Sequence, residues 1–205
     1  MSIKRKEMDS KKLYSALYAL TANKVQATLH PSLRGVYFDN GSIVASNAFA
    51  IAVAKSEYPP EWEGKILDKA GEGVKEKPLN FKGVLPYDPE RTLRTSDYTQ
   101  ILDVDQFKEA LRMMPKSKDT DEERIGIEIG GAVFYPPLVL KCLSVFEALD
   151  QTPEIFIYTA GVGVHKKCCM LSKEGSLALV CPLLFASDPA RVIAFEEALM
   201  CGDLL

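Results

Sequence analysis

Apolar residues recur three and four positions apart in three segments of the chain. The segments read MDSKKLYSAL, LDVDQFKEAL and FYPPLVLKCL, at residues 8–17, 102–111 and 134–143. Each ends on a small residue followed by Leu, and this spacing places the apolar side chains in one stripe on a helix of about three turns. Recurrence of one such unit favours a fold assembled from copies of it.

The first segment opens a region whose pattern changes from helical to alternating. We expect one helix and three strands there, at about 10–21, 34–39, 42–45 and 49–55. Asp9 or Ser10 is the expected N-cap of the helix. Asn40-Gly41 joins the first two strands, because this dipeptide adopts the positive φ angles of a tight hairpin turn. The third strand carries small residues at alternate positions, which indicates a closely packed face.

Residues 57–98 differ in composition from the rest of the chain. They hold five of the chain's twelve prolines and much of the charge. We interpret them as a long connection with two short strands, near 65–68 and 81–85.

The second half repeats the alternation of helix and strand. It predicts a strand near 99–104, a helix at 105–114 with Asp105 as its cap, and further strands near 124–129, 132–134, 154–159, 166–171 and 176–180. Pro136 and Pro137 suit the first turn of another helix. Ser187-Asp188-Pro189 predicts the start of a final helix that extends to about residue 200.

Composition limits the class of protein. Of 205 residues, 47% are hydrophobic and 26% are charged, which is typical of a globular protein with a sizeable core. We expect a cytoplasmic protein with no membrane partner and reduced cysteines, since no signal peptide or spanning segment is recognisable. The net charge of −3 argues against indiscriminate coating of nucleic acid but is compatible with a local basic face.

One cluster of residues is a candidate for chemistry, and it consists of His165, Cys168 and Cys169. On a strand, residues 165 and 169 share a face while Cys168 points away, and no second cluster completes a zinc ligand set. A Cys–His nucleophile pair is the other interpretation, although no residue is placed to orient the histidine. The sequence thus predicts no metal site, no cofactor and no persuasive active site, so we expect a protein that acts by binding.

Basic residues mark the polar faces of the first two helices. They are Lys11 and Lys12 on the first helix, and Lys108, Arg112 and Lys116 on or just after the second. Lys108 and Arg112 lie four residues apart on one helical face, and such side chains suit a phosphate backbone. Ordinary solvated side chains are the alternative interpretation.

Five segments, in their order along the chain, resemble motifs of the bacterial DNA sliding clamps, the polymerase III beta-subunit family. They are SIVASNAFAIA, LNFKGVLP, LDVDQFKEAL, VFYPPLVLKCL and LALVCPLL. The resemblance implies an α+β, DNA-clamp-like fold of repeated βαβββ units, with helices on one face of antiparallel sheets. On this basis we expect a first clamp-like unit at 1–56, a linker or insertion at 57–98, a second unit at 99–186 and a C-terminal helical extension at 187–205.

The resemblance also implies a peptide site. In that family the closing strand borders a hydrophobic groove that receives short peptides from partner proteins, and the matching residues here are Val180, Pro182, Leu183 and Leu184. We expect the helical extension either to fold back and cover this groove or to cap a sheet edge.

The function that the resemblance implies is that of a non-catalytic processivity or scaffold factor in DNA replication. Such a factor binds duplex DNA and a polymerase or another peptide-bearing protein, and a chain of this length forms a ring only as a homo-oligomer joined through sheet edges. Asn47 and Ala50 depart from the family's first motif, and Cys181 and Leu184 depart from its closing motif. Two alternatives therefore stay open, a clamp-fold protein-interaction module that does not encircle DNA and a thiol enzyme.

Overall fold

The structure is a computed structural model, and it describes residues 3–77, 80–81, 98–115, 125–158, 167–183 and 191–195. The α-helices in this part of the chain are α1 (Ile3–Tyr18), α2 (Lys24–Leu29), α3 (Val104–Met113) and α4 (Pro136–Ala148). The strands are β1 (Val36–Asp39), β2 (Ser42–Ser46), β3 (Ala50–Lys55), β4 (Ile66–Leu67), β5 (Gly73–Val74), β6 (Tyr98–Ile101), β7 (Ile125–Ile129), β8 (Ala132–Phe134), β9 (Glu154–Tyr158), β10 (Cys168–Leu171), β11 (Leu177–Val180) and β12 (Arg191–Ala194).

Nine of these strands form one sheet, in the order β5-β4-β1-β2-β3-β11-β10-β9-β6, and every neighbouring pair is antiparallel. The order is the same on both sides of the central β3–β11 pair, with β1-β2-β3 on one side and β9-β10-β11 on the other. A helix precedes each of these three-stranded meanders along the chain, α1 on one side and α4 on the other. The architecture is therefore mixed α/β with a large antiparallel sheet, which agrees with the α+β prediction.

The small residues predicted on β3 lie where a helix packs. The side chains on the helix-facing side of the central strand pair are all buried, and they are Ala50, Ala52, Ala54, Ala178 and Val180. α4 packs across β3 and β11 and also contacts α1 and α3. Since alanine side chains are short, the helix can approach the sheet closely at this seam.

The three helices that contain the repeated segments each bury their apolar stripe, as predicted. Leu17 of α1 is 0% exposed, and Leu111 of α3 and Leu143 of α4 are each 2% exposed. All three belong to the core cluster that fills the space between the helices and the large sheet. α1 is further tied to the sheet by the Tyr14 hydroxyl, which donates a hydrogen bond to the backbone carbonyl of Asp68.

The opposite face of the large sheet has its own buried cluster. Its members are Val44, Ile51, Val53, Phe81, Cys169, Leu177 and Leu179. The ring of Phe81 lies edge-on to that of Tyr37, with centroids 6.1 Å apart. The central strands are therefore apolar on both faces, which explains why they read as nearly continuous hydrophobic runs rather than as alternating patterns.

The β1–β2 hairpin and the close approach of β4 to β1 both depend on glycine. Asn40 has φ 46° and Gly41 has φ 70°, so the predicted Asn-Gly turn is confirmed. At Gly35 a Cβ atom would lie 2.3 Å from the backbone oxygen of Leu67, so only glycine allows β4 to approach the start of β1. β4 and β5 extend the sheet beyond β1, so the first part of the predicted linker at 57–98 belongs to the sheet. β3 pairs with β11, so the two predicted units share one sheet.

The ends of two predicted helices require correction. α1 begins at Ile3, so Asp9 and Ser10 lie inside the helix and neither is its cap. The N-cap of α3 is Asp103, whose side chain accepts from the backbone N–H of Gln106 at 2.9 Å, and not Asp105. Asp103 has the extended backbone that an N-cap requires, whereas Asp105 lies in the first turn, where a carboxylate instead complements the helix dipole.

Helix α2 was absent from the sequence prediction. It is a single short segment with a capping box, in which the Asn23 side chain accepts from the Gln26 N–H at 2.9 Å and the Gln26 side chain accepts from the Asn23 N–H at 3.2 Å. The spacing of Asn23 and Gln26 was the available signal, because a polar residue followed three positions later by Gln marks a helix start.

The predicted final helix is wrong at Arg191–Ala194, because these residues form β12. This strand pairs in parallel with β7, and together with β8 they make a second, three-stranded sheet. Val192 and Ile193 are consecutive β-branched residues, which favour a strand. The Phe195 ring packs on that of Phe107 with centroids 5.4 Å apart, so this segment is fixed to α3. Residues 187–190 and 196–205 lie outside the described residues.

Within the described residues, none of the helices is long and apolar enough to cross a membrane.

Core leucines should carry much of the stability of the fold. Changing Leu17, Leu111 or Leu143 to Ala should lower the free energy of unfolding by about 2–5 kcal/mol, through lost burial and the cavity left behind. Leu102 is 87% exposed, so Leu102→Ala is the matched control and should change it by less than about 0.5 kcal/mol. Urea unfolding followed by circular dichroism measures both. Equal losses at Leu102 and the three core positions would contradict the packing described above.

The contact between the C-terminal strand and α3 gives a second stability prediction. Phe195→Ala should lower the free energy of unfolding by about 1–3 kcal/mol, because it removes a half-buried side chain and the contact of that side chain with the Phe107 ring. Phe49 is 53% exposed, so Phe49→Ala serves as the control and should be nearly neutral. If both substitutions were neutral by urea unfolding, β12 would not contribute to the stability of the fold.

Candidate functional site

Among the helices that the structure describes, α1 has the largest excess of basic residues. Its sequence, IKRKEMDSKKLYSALY, holds five Lys or Arg and two Asp or Glu. Lys11 and Lys12 are exposed, while Leu13 and Leu17 on the same helix are buried in the core and α1 packs against α4. The helix therefore exposes two of the predicted DNA-binding residues, Lys11 and Lys12, to solvent.

The basic residues of α3 are placed differently. Lys108 Nζ makes an ion pair with the carboxylate of Glu147 on α4, and Arg112 Nη2 lies 3.6 Å from the same Glu147 oxygen. Arg112 also lies 3.9 Å from Glu109, and Lys108 lies 4.0 Å from Asp105. The structure thus joins Lys108 and Arg112 on one face, as predicted, but gives each of them carboxylate neighbours that reduce the local positive potential. Lys116 lies outside the described residues.

The closing strand places its predicted peptide-binding residues at different depths. Val180 is fully buried and faces the helices, so its side chain belongs to the core. Pro182 and Leu183 are half-buried, and the backbone N–H of Leu183 donates to the carbonyl of Val133 on β8 at 2.8 Å. Leu184 lies outside the described residues. Pro182 and Leu183 are therefore partly accessible at the surface, whereas the Val180 side chain is not.

The loop between β2 and β3 holds an exposed aromatic side chain that the sequence analysis missed. The buried Asn47 side chain accepts from the N–H groups of Phe49 at 3.0 Å and Ala50 at 2.8 Å. Ala48 adopts φ 74°, an unusual angle for a residue with a side chain. The carbonyl of Phe49 accepts from the N–H of Cys181 at 2.8 Å, so the loop lies beside the segment that contains Pro182 and Leu183. The available signal was Asn47, since asparagine side chains commonly fix such turns.

The cysteine cluster does not assemble a reactive site in the described structure. Cys168 faces the helix-side core and Cys169 faces the opposite cluster, as the strand alternation predicted, and His165 lies outside the described residues. Burial raises the pKa of the Cys142 thiol to about 12 and holds the pKa of Cys168 well above its usual range. In the segments that the structure describes, no group of three His, Cys, Asp or Glu residues is close enough to hold a metal ion.

Thiol reactivity should follow this burial. At neutral pH an alkylating reagent should modify Cys181, which is half-exposed, and spare Cys142, Cys168 and Cys169 until the protein unfolds, because the thiolate is the reactive form. Since burial favours the neutral thiol, stability should be unaffected below the unfolded pKa and should fall as the pH rises from there towards about 12. Mass spectrometry of the digested, labelled protein resolves each site. Rapid labelling of Cys168 in the native protein would instead support a thiol enzyme.

Comparison of the chain with protein-family models, with curated proteins and with solved structures found no match in any of the three.

Proposed function

We propose that this protein is a non-catalytic, sliding-clamp-like factor that associates with duplex DNA through α1. The observation that carries the proposal is the placement of helices on one face of a continuous antiparallel sheet, with exposed Lys11 and Lys12 on one of those helices. Phosphate contacts from lysines give weak, sequence-independent binding, which is what a protein that moves along DNA requires.

A ring around DNA would need more than one copy of this chain. β5 and β6 are the terminal strands of the nine-stranded sheet, and edge strands can pair with another chain through their free backbone groups. Head-to-tail pairing of one edge with the other is the kind of contact that closes a ring. We therefore include a homo-oligomer in the proposal.

The proposal also includes a protein partner that bears a short apolar peptide. Pro182 and Leu183 are half-buried, and the exposed Phe49 lies beside the same segment through the Cys181–Phe49 hydrogen bond. An exposed aromatic residue on a loop that is fixed by hydrogen bonds is a suitable anchor for such a contact.

The charge pairing of α3 favours the second candidate function, a clamp-fold module that binds protein and does not encircle DNA. Glu147 lies beside both Lys108 and Arg112, so α3 and α4 offer little net positive charge to a phosphate backbone. On this alternative, Lys11 and Lys12 are solvated side chains with no DNA contact. A single set of binding measurements separates the two candidates.

Charge reversal on α1 should weaken DNA binding. The Lys11→Glu/Lys12→Glu variant should bind a labelled duplex at least about tenfold more weakly than the unmodified protein at about 50 mM salt, and the salt slope should fall by about 2. The matched control is Lys69→Glu/Lys75→Glu, which makes the same charge change at exposed positions beside the β4–β5 turn. Fluorescence anisotropy over a salt series measures both variants, and the control should retain binding.

Two results would overturn the proposal. If the unmodified protein bound no duplex at about 50 mM salt in any oligomeric form, the protein-interaction module would replace the clamp. If both variants lost binding equally, only the net charge would matter and α1 would have no special role. The solution mass, measured by light scattering on the same samples, decides between a monomer and a ring.

A further inference from the structure

The exposed turn between β1 and β2 is made by Asn40 and Gly41, the only Asn-Gly pair in the sequence. Such pairs are chemically labile, because glycine has no side chain to keep its backbone nitrogen away from the asparagine amide. The Gly41 nitrogen can bond to the side-chain carbonyl carbon of Asn40 and lose its proton, while the carbon–nitrogen bond of the amide breaks and ammonia leaves. Water then opens the resulting cyclic imide and gives aspartate or isoaspartate.

The backbone nitrogen that would attack is engaged by another part of the chain. The Gly41 N–H donates to the Tyr58 hydroxyl at 3.1 Å, and that hydroxyl in turn donates to Glu63 Oε2 at 2.5 Å. The second hydrogen bond is short because its acceptor is a carboxylate. It fixes the direction of the hydroxyl proton and leaves the oxygen lone pairs for the Gly41 N–H. The proton that the reaction must remove is therefore held in a hydrogen bond.

Asn40 is held by the same carboxylate. Its backbone N–H donates to Glu63 Oε1 at 3.1 Å, and its side-chain Nδ2 donates to Asp39 Oδ1 at 3.2 Å. The reaction expels Nδ2 and removes the Gly41 proton, so the hydrogen bonds made by both groups must break. We call the pair of side chains that reaches the turn from outside, Tyr58 and Glu63, the turn bridge.

The turn bridge is attached to the core of the fold. The fully buried ring of Phe38 on β1 has its centroid 5.1 Å from the ring of Tyr58 and 5.1 Å from the ring of Trp62. The backbone N–H of Gly64 donates to the carbonyl of Phe38 at 2.9 Å. Opening of the turn must therefore separate it from a segment that is itself packed on β1.

We propose that Asn40 is a deamidation site that the turn bridge protects in the folded protein. The modified turn does not close as before. Aspartate or isoaspartate at this position places a further negative charge beside Asp39 and Glu63, and isoaspartate adds a backbone carbon to a two-residue turn that sets the register of β1 and β2. Deamidation thus marks copies of the protein whose hairpin has opened. This inference is independent of the DNA-binding proposal.

Tyr58→Phe tests the protection. The variant keeps the ring on Phe38 but loses the hydroxyl, so Asn40 should deamidate about three- to tenfold faster than in the unmodified protein, the effect of removing one hydrogen bond from the closed turn. The full chain is kept in mildly alkaline buffer, and peptide mapping by mass spectrometry follows aspartate and isoaspartate at this site. Tyr98→Phe is the matched control, because Tyr98 lies on the distant edge strand β6 and is 45% exposed, and it should leave the rate unchanged.

A second variant and a reference state keep the outcome interpretable. Glu63→Ala should also speed deamidation, because it removes the acceptor of the Tyr58 hydroxyl and of the Asn40 N–H. The unmodified protein unfolded in urea gives the rate without protection, and it should exceed the native rate by about tenfold or more, since several hydrogen bonds are then lost together. Circular dichroism checks that each variant is folded under the conditions of the test.

Three results would overturn the proposal. If Asn40 deamidated equally fast in the native and the urea-unfolded protein, the folded turn would give no protection. If Tyr58→Phe and Tyr98→Phe both matched the unmodified protein, the turn angles alone would set the rate. If Tyr58→Phe deamidated more slowly, the turn bridge would act as a base that assists the attack.

Discussion

The packing of α4 on the β3–β11 seam is the interaction on which the rest of the structure depends. α4 contacts α1, α3, the centre of the large sheet and β7 of the small one, so every layer of the described fold meets this helix. Its approach to the sheet relies on alanine at positions 50, 52, 54 and 178. Because a close-packed core yields little to added volume, a larger side chain at any of these positions would push the helix away and loosen all the layers together.

The central position of α4 also sets the charges available on the helical layer. Glu147, near its end, is within ion-pair distance of both Lys108 and Arg112, so the basic residues of α3 are partly neutralised, while Lys11 and Lys12 of α1 remain exposed. The proposed DNA surface is therefore narrower than the sequence indicated. The end of α4 also forms one wall of a cleft beside α3.

The sequence motifs did not predict which side chains of β11 and of the β2–β3 loop are exposed. The sequence treats Val180 as part of a groove, yet its position opposite Ala50 turns it towards the helices. Phe49, which no motif singled out, is exposed on a loop fixed by Asn47. The side of a strand that faces the core depends on its partner strands, since a shift of one residue reverses every side chain.

The sequence by itself determined most of the described elements: the Asn40-Gly41 hairpin, the stripes of α1, α3 and α4, and the strands of both meanders. Each depends on local spacing or on the backbone preference of one or two residues. Tertiary structure alone decided that β3 pairs with β11, that Arg191–Ala194 join β7 as a strand and not a helix, and that Glu147 meets Lys108 and Arg112. Those outcomes depend on partners distant in the chain, and for a short apolar segment such as RVIA the available partner outweighs the local preference.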